Sequence, residues 1–416
     1  MKTVFQKLLD RYSAILKNIS WIALIEIVVL LTPLITYPYL VRVLGKELYG
    51  YVITAQVLSS YATIVVDFGS NAVCAKHVSI NRSNSLMLSE IVCSVLFVRS
   101  FLWLVCFATY MGVVLLIPTY RGWLQLFFCT YFMVLNDVLF PRYFFQGIED
   151  MKMVSLISVF TKLFFVGMIF IFIRDKSDYL WIPILYSIGF ALGGVFALWK
   201  IFVSMRIKFT FPKWERMKIY IYDSMPILTT DLICTIKDKF NYQLLGFYVG
   251  MGEVVIYDLG FKLNSLLAKP TSIITTVLFP RFAKNKNLQK LKIAILLNFF
   301  CTLFLCILLN TFLAEIVTFF LNESIDLWPI RILSIAPLFL SVSMMICQNY
   351  LVAFGLTKYV LYSILVTTTA YLSLLFVMMC TSSLNNLYSF VFLAIASYLV
   401  EMIYRIYLVI KNKRVL

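Results

Sequence analysis

Long apolar stretches alternate with short polar connections along the whole chain. The apolar runs are about 20 residues or longer, which is the length that an α-helix needs to cross a bilayer. Twelve runs can be bounded, at 20–42, 51–75, 90–117, 123–145, 153–173, 179–203, 223–249, 253–280, 292–320, 327–354, 359–380 and 387–410. The pattern therefore predicts an all-α polytopic membrane protein with twelve transmembrane helices.

The longest polar connection divides these spans six and six. We predict an N-terminal half at 1–203, a cytoplasmic linker at 204–222 and a C-terminal half at 223–416. A similar pattern follows the first span of each half, LVRVLGKELYGYV in one and LLGFYVGMGEVVIYD in the other. Because an even number of helices leaves both halves in the same orientation, we expect two six-helix bundles related by a pseudo-two-fold along the membrane normal, with a cavity between them.

The distribution of Lys and Arg residues predicts the orientation of the chain in the membrane and argues against one class of partner. The 416 residues are 62% hydrophobic and carry a formal net charge of +16. With both termini inside, and with basic residues at the span ends counted with the adjoining connections, the inner segments hold 23 Lys and Arg residues and the outer loops hold 5, which predicts cytoplasmic N- and C-termini. Residues 1–19 have an apolar and a basic face, which indicates an amphipathic helix on the inner surface. Since the basic residues lie in loops between apolar spans, we expect no nucleic-acid partner.

The seventh and eighth spans are unusual because they contain seven charged residues away from their ends. These are Asp231, Lys237, Asp238, Lys239, Asp258, Lys262 and Lys269. Each charge facing lipid at the bilayer centre would cost at least about 2.5–3.5 kcal/mol. Asp258, Lys262 and Lys269 recur at i, i+4 and i+11, on one face of a helix. This face is typical of a cavity for a polar substrate, although a purely structural pair of Asp258 with Lys262 is the alternative.

Other spans add charges of the same kind, including Arg99, Lys162 and Asp67. We assign six basic residues to a cavity for an anionic substrate: Lys237, Lys239, Lys262, Lys269, Arg99 and Lys162. Four acidic residues have two open interpretations, binding of a coupling proton or sodium ion and neutralisation of the lysines: Asp67, Asp231, Asp238 and Asp258.

The residue types needed for catalysis or metal binding are scarce. The sequence has no GxxxxGK[ST] phosphate loop, His77 is the single histidine, and the nine cysteines form no CxxC pair. Outer loops of at most about ten residues leave no room for a catalytic domain. We therefore expect a protein that is not an enzyme and has no catalytic residue, no metal site and no cofactor.

Several short motifs resemble those of a known family. They are RVLGKELYGYV (42–52), VDFGSN (66–71), FPRYFFQGIEDMK (140–152), SMPIL (224–228), VVIYDLGFKL (254–263), FPRFAK (279–284) and RILS (331–334). Their order and placement resemble the polysaccharide transporter family, the Wzx-type O-antigen repeat-unit flippases, within the multidrug/oligosaccharidyl-lipid/polysaccharide exporter superfamily.

This resemblance implies a function and a location. Such a protein is expected to move an undecaprenyl-pyrophosphate-linked O-antigen unit, or another surface-polysaccharide repeat unit, from the cytoplasmic to the periplasmic leaflet of the bacterial inner membrane by alternating access. The implied partners are the lipid-linked oligosaccharide, membrane lipids, a polysaccharide polymerase and a chain-length regulator. The alternatives are a multidrug cation antiporter of the same superfamily, a flippase for peptidoglycan or teichoic-acid precursors, and a membrane polysaccharide polymerase or ligase.

Overall fold

All regular elements of the described chain are helices. The computed structural model describes the backbone of residues 2–412 and the side chains of Trp21 and residues 24–412. Within this range no strand forms, which confirms the all-α class predicted from the sequence. The amphipathic pattern predicted for residues 1–19 lies outside the residues whose side chains are described.

Within residues 2–412, eighteen α-helices follow one another, and several of them are joined end to end. They are α1 (Lys2–Leu44), α2 (Lys46–Asp67), α3 (Ser70–Ile80), α4 (Ser85–Leu116), α5 (Pro118–Arg121), α6 (Leu124–Tyr131), α7 (Leu135–Leu139), α8 (Arg142–Gly147), α9 (Met151–Phe172), α10 (Trp181–Trp199), α11 (Trp214–Tyr248), α12 (Met251–Lys284), α13 (Leu288–Thr311), α14 (Leu313–Leu321), α15 (Trp328–Leu333), α16 (Ala336–Ile346), α17 (Thr357–Cys380) and α18 (Leu387–Asn412). Short 3₁₀ segments at Phe132–Val134 and Lys176–Leu180 and π-helical turns at Lys200–Ser204 and Cys347–Val352 complete the pattern.

Ten helical stretches of the described chain are long and apolar enough to cross a membrane. The two predicted spans that do not meet this composition test fall in α11 and α12, which are the charged pair of helices. They have 35 and 34 residues, and at about 1.5 Å per residue each is long enough to cross the bilayer. Their charges can lie at membrane depth only if protein groups or water satisfy them.

Large apolar side chains cover the outer faces of several of these helices. Phe101 and Leu104 on α4 are 59% and 60% exposed, and Phe300 and Phe304 on α13 are 59% and 65% exposed. Helix faces covered by exposed apolar side chains of this kind suit contact with lipid chains rather than with water.

The chain folds into two compact units. Unit 1 consists of Met1–Leu44 with Ala55–Leu232, and unit 2 of Gly45–Thr54 with Ile233–Leu416. The chain therefore changes unit between α1 and α2, inside α2 and inside α11. The sequence-based boundaries at 203 and 223 stay a prediction.

In unit 1, α9 packs between α1 and α10, and α3 packs on α8. Its core includes Ile91, Val92, Phe144 and Phe145, all fully buried. Gly147 of α8 has no room for a side chain, because a Cβ would lie 2.5 Å from the side chain of Val78 on α3. The two helices can approach this closely only because the residue is glycine.

In unit 2, α12 contacts α13 and α16, and α18 contacts α16 and α17. The start of α2 joins this unit through a tight contact, since a Cβ on Gly50 would lie 2.0 Å from the carbonyl oxygen of Met251. Gly45 (φ +80°) precedes α2 and Gly250 (φ +140°) precedes α12. The glycines that recur in the two halves of the sequence therefore form corresponding helix–helix turns, in a conformation that glycine adopts at least cost.

Candidate functional site

In unit 1 the charged residues are organised around Arg99, in the middle of α4. The side chain is only 1% exposed. Its Nε and Nη2 atoms donate to Ser70 Oγ at 3.0 and 2.7 Å, and Nη2 also donates to Asn71 Oδ1 at 3.2 Å. The same nitrogen forms an ion pair with Asp67. Arg99 thus connects α4 to the junction of α2 and α3.

The remaining contacts of Arg99 enclose it further. Nη1 donates to the carbonyl oxygen of Asp137 at 2.6 Å, and the guanidinium lies 5.2 Å from the centre of the Tyr143 ring. A buried guanidinium is tolerated when nearly all of its donors find acceptors. The structure therefore places Arg99, predicted to contact substrate, in contact with protein groups.

Two of the four predicted acidic residues also lie in unit 1. Asp67 accepts a hydrogen bond of 2.6 Å from Asn71 Nδ2 in addition to its pairing with Arg99, and 21% of its side chain is exposed. Asp231 is exposed on α11, within electrostatic range of Asp67. Asp67 therefore has a neutralising partner, and Asp231 faces the exterior of unit 1.

Lys162 differs from Arg99 because no acidic side chain of the described residues pairs with it. It lies at the middle of α9 and is half-buried, with Nζ 5.3 Å from the centre of the Tyr186 ring and 5.8 Å from that of Phe190. Within residues 24–412 no carboxylate lies within 4.0 Å of it, and the nearby charge is that of Arg142. Aromatic faces attract a cation without neutralising it, so Lys162 keeps a positive charge that an anionic group could bind.

In unit 2 a buried ionic network joins α11 to α18. Lys237 Nζ lies 3.2 Å from Glu401 Oε2 and 3.2 Å from Asp238 Oδ1. Glu401 Oε1 lies 2.7 Å from Arg405 Nη1 and accepts from Ser343 Oγ at 3.2 Å. Because Lys237, Glu401 and Arg405 are all buried, each depends on the others for compensation of its charge.

A second group of charges lies beside this network, on α11 and α12. Asp258 forms an ion pair with Lys262 one turn later and accepts from Tyr242 Oη at 3.3 Å. Lys239 is half-buried, within electrostatic range of Asp238 and Asp258, with no carboxylate of the described chain within 4.0 Å. The pairing of Asp258 with Lys262 that the sequence offered as a structural alternative is therefore present.

The ionic network and the neighbouring group of charges together carry a slightly positive balance. Four basic side chains (Lys237, Lys239, Lys262, Arg405) face three acidic ones (Asp238, Asp258, Glu401), an excess of one positive charge. The last predicted cavity residue, Lys269, is half-buried on α12, about 10 Å beyond Lys262 along the helix.

Sequence reasoning missed two parts of this site. Helical spacing pairs Glu401 with Arg405, four residues later on the same helix, but it gives no reason to add Lys237, which is 164 residues away from Glu401. Sequence reasoning also missed Asn241, which is 1% exposed, donates to Tyr257 Oη at 2.9 Å and accepts from Tyr371 Oη at 2.6 Å. Asn241 is neutral, so a count of charged residues does not include it. An asparagine inside an apolar span is nevertheless unusual, and this is the feature of the sequence that indicates it.

No group of three or more His, Cys, Asp and Glu side chains in the described part of the chain is arranged to hold a metal ion. The chemistry of the site is that of cations, carboxylates and tyrosine hydroxyls inside two helical units. Such groups bind and neutralise polar or charged molecules at membrane depth.

Solved structures of other proteins share this helical fold. The chain resembles a solved multidrug resistance MATE family transporter of the MOP superfamily in an inward-facing conformation, with a TM-score of 0.72, 14% identity, and 92% of this chain and 96% of that chain covered. It resembles the lipid II flippase MurJ, in an inward closed conformation, with the same TM-score and identity, and with 94% and 87% covered. These likenesses show that the chain shares the twelve-helix fold of these solved structures.

Comparison of sequences identifies the family to which the chain belongs. The family model described as "Polysaccharide biosynthesis protein" matches residues 15–286, and the chain belongs to this family. A protein of Escherichia coli (strain K12) named "Putative O-antigen transporter" is 23% identical over 282 residues, 68% of each chain. A protein of the same name from Shigella dysenteriae is 22% identical over 280 residues, 67% of this chain and 70% of that protein. The predicted family resemblance is confirmed.

Proposed function

We propose that this protein is a flippase, not an enzyme, that moves undecaprenyl-pyrophosphate-linked O-antigen or another surface-polysaccharide repeat unit from the cytoplasmic to the periplasmic leaflet by alternating access. The bacterial inner membrane is its proposed location. Membership of the polysaccharide biosynthesis family and relatives named as O-antigen transporters support a saccharide cargo.

Lys162 is the observation that carries this proposal. A cation in the middle of a membrane-spanning helix is costly unless it is paired or has a function. Lys162 lies beside two aromatic rings, with no carboxylate of the described residues within 4.0 Å, and an incoming pyrophosphate would provide the missing negative charge. Lys239 contributes in the same way in unit 2, beside carboxylates that do not contact it directly.

The first experiment removes the gene from its host and asks in which leaflet lipid-linked glycans accumulate. Completed repeat units should become trapped on the cytoplasmic side, inaccessible to a membrane-impermeant glycosidase applied to spheroplasts, and surface polymer should be lost. Repeat units that accumulate on the outer side would instead indicate a polymerase or ligase defect and contradict a flippase.

Complementation of that strain tests the cationic residue. A charge-assisted hydrogen bond contributes about 1.5–3 kcal/mol, so Lys162→Gln should lower surface glycan by about tenfold or more at unchanged protein level. Lys152→Gln is the matched control, because Lys152 is exposed near the start of the same helix and should support normal export. Normal export by both variants would remove Lys162 from the proposed site.

The fold supports a second candidate, a multidrug cation antiporter, since the MATE and MurJ structures resemble the chain equally well by TM-score. This alternative predicts that the deletion sensitises cells to cationic drugs and leaves lipid-linked glycans unchanged. We favour the saccharide cargo because Lys162, which contacts no carboxylate among the described residues, would repel a cationic drug.

A further inference from the structure

Unit 1 contains an open groove whose lining has no polar side chain. Its volume is about 380 Å³, and α2, α4 and the first half of α11 form its walls. The lining residues are Val65, Phe68, Phe97, Val98, Phe101, Leu102, Trp214, Met217, Ile221, Met225 and Leu228. Six of these eleven are aromatic or methionine, side chains that adapt well to an irregular apolar partner.

The groove extends along the helices. On α11 its lining begins at Trp214, the first residue of the helix, and ends at Leu228. Fourteen residues of α-helix span about 21 Å, which is more than half of the hydrocarbon thickness of a bilayer. An apolar space of this size does not hold water stably, so at membrane depth a hydrocarbon chain is the natural occupant.

The end of the groove at Trp214 is strongly basic. Segment 204–222 contains five Lys and Arg residues and one acidic residue, Glu215. Lys218 Nζ lies 5.5 Å from the centre of the Trp214 ring, at the groove itself. Arg216 is already paired, at 3.1 Å, with Glu90 of α4, whereas Lys213 and Lys218 are exposed.

This basic segment is held against the groove wall by hydrogen bonds. Ser89 Oγ of α4 donates to the carbonyl oxygen of Lys208, and the backbone N–H of Thr210 donates to Cys93 Sγ of the same helix at 3.3 Å. These bonds attach the backbone at Lys208 and Thr210 to α4, the helix that also carries four of the residues that line the groove. An apolar chain of about 20 Å with an anionic group at one end complements this arrangement.

We propose that the groove binds the isoprenoid chain of an anionic polyprenyl carrier lipid, with its phosphate or pyrophosphate group at the basic end beside Lys218 and Trp214. This inference rests on the proposed function, because it identifies where the lipid portion of the cargo is held. The charge of the head group selects the basic end, and the aromatic and methionine lining accommodates the methyl-branched chain.

The test is photocrosslinking with the purified full-length protein in vesicles of phosphatidylethanolamine and phosphatidylglycerol. The probe is a polyprenyl diphosphate with a diazirine on its chain, and labelled residues are located by mass spectrometry. We expect labels on the lining stretches of α4 and α11, displaced by unlabelled undecaprenyl phosphate and not by additional phosphatidylglycerol. Labels spread over all lipid-facing helices, or displaced equally by phosphatidylglycerol, would overturn the proposal.

Matched variants sharpen the test. Ile221→Trp fills the groove and should lower labelling by about tenfold or more, a loss of about 1.4 kcal/mol in binding. Ile219→Trp on the exposed face of the same helix should leave labelling unchanged. Leu102→Trp and Leu104→Trp form an equivalent pair on α4, which guards against misfolding of a single variant. Equal labelling of groove and control variants would contradict the proposal.

The two proposals can fail separately. Groove labelling in a protein whose deletion leaves lipid-linked glycans unchanged would support the lipid site and remove the flippase function. Trapped repeat units in the deletion strain, combined with labels outside the groove, would support the flippase and remove this site.

Discussion

At the scale of single residues, Arg99 shows how a charge is accommodated inside an apolar helix. Its guanidinium reaches Ser70, Asn71, Asp67 and the carbonyl oxygen of Asp137. A planar fork with five donors can satisfy acceptors in several directions, and an ammonium group cannot. Position 99 therefore depends on the shape of arginine as well as on its charge.

Replacing Arg99 with lysine should expose this dependence. Arg99→Lys keeps the charge but leaves several buried acceptors without a hydrogen bond. We expect this to lower the free energy of unfolding by about 1–3 kcal/mol and to lower the melting temperature of the detergent-solubilised protein. Arg142→Lys is the control, because Arg142 is exposed and its guanidinium lies 5.4 Å from the centre of the Phe140 ring. Equal melting temperatures for the two variants would show that charge alone matters at position 99.

The ionic network of unit 2 gives a second prediction at this scale. Glu401 is buried and accepts from Lys237, Arg405 and Ser343. Glu401→Gln should therefore cost about 3–5 kcal/mol, the range for breaking a buried pair. Asp238→Asn should cost less than about 1 kcal/mol, because the Asp238 side chain is 44% exposed.

The measurement is the amount of folded protein in the membrane, followed by thermal unfolding of the purified variants. A stability loss for Asp238→Asn as large as that for Glu401→Gln would contradict the assignment of the network to Glu401. Normal stability of Asp238→Asn combined with lost export would assign Asp238 a direct part in transport.

At the scale of elements, close packing of helix ends decides how α2 and α12 meet. Gly45 and Gly250 form the turns that precede these helices, and Gly50 lets the backbone of Met251 approach. The sequence repeat around these glycines indicated a common turn, and the structure gives the reason for it. The charged faces of α11 and α12 are a second property of elements, because Lys237 pairs with Glu401 of a neighbouring helix and Asp258 pairs with Lys262 of its own helix.

Two glycine substitutions test this packing. A Cβ at position 50 would lie 2.0 Å from backbone atoms, so Gly50→Ala should force the start of α2 away from α12 and lower the yield of folded protein severely. Gly252→Ala is the control, since its Cβ would meet nothing closer than 3.9 Å. Similar yields from the two variants would show that this contact is not needed for folding.

At the scale of the whole molecule, the open question is the orientation in the membrane. The excess of Lys and Arg in alternate connections predicts both termini on the cytoplasmic side. The basic end of the groove, around Trp214, would then lie on the side where a lipid-linked unit is made. The proposed direction of transport depends on this orientation.

Single cysteines test the orientation directly. In a variant whose nine native cysteines are replaced, Ser382→Cys should react with a membrane-impermeant maleimide on intact spheroplasts, and Ser83→Cys should react only after lysis. Both serines are exposed in short connections, so access to the reagent depends on sidedness. The reverse pattern of labelling would invert the predicted topology.

The sequence by itself determined the helical class, the number of long spans and the family. These properties follow from run length, local periodicity and motif order, which are short-range features of the chain. It also identified α11 and α12 as the helices with unusual charge, and it indicated the pairing of Asp258 with Lys262, because residues four apart on a helix are neighbours.

Only the tertiary structure decided which charged side chains form ion pairs within the protein and which do not. Lys237 meets Glu401 across 164 residues of sequence, and Arg99 meets Asp67 across 32, whereas Lys162 meets no carboxylate among the described residues. Helical periodicity identifies the face of a side chain but not the neighbouring helix. The same limit applies to the apolar groove, since Val65, Phe101 and Ile221 are ordinary apolar residues until folding places them side by side.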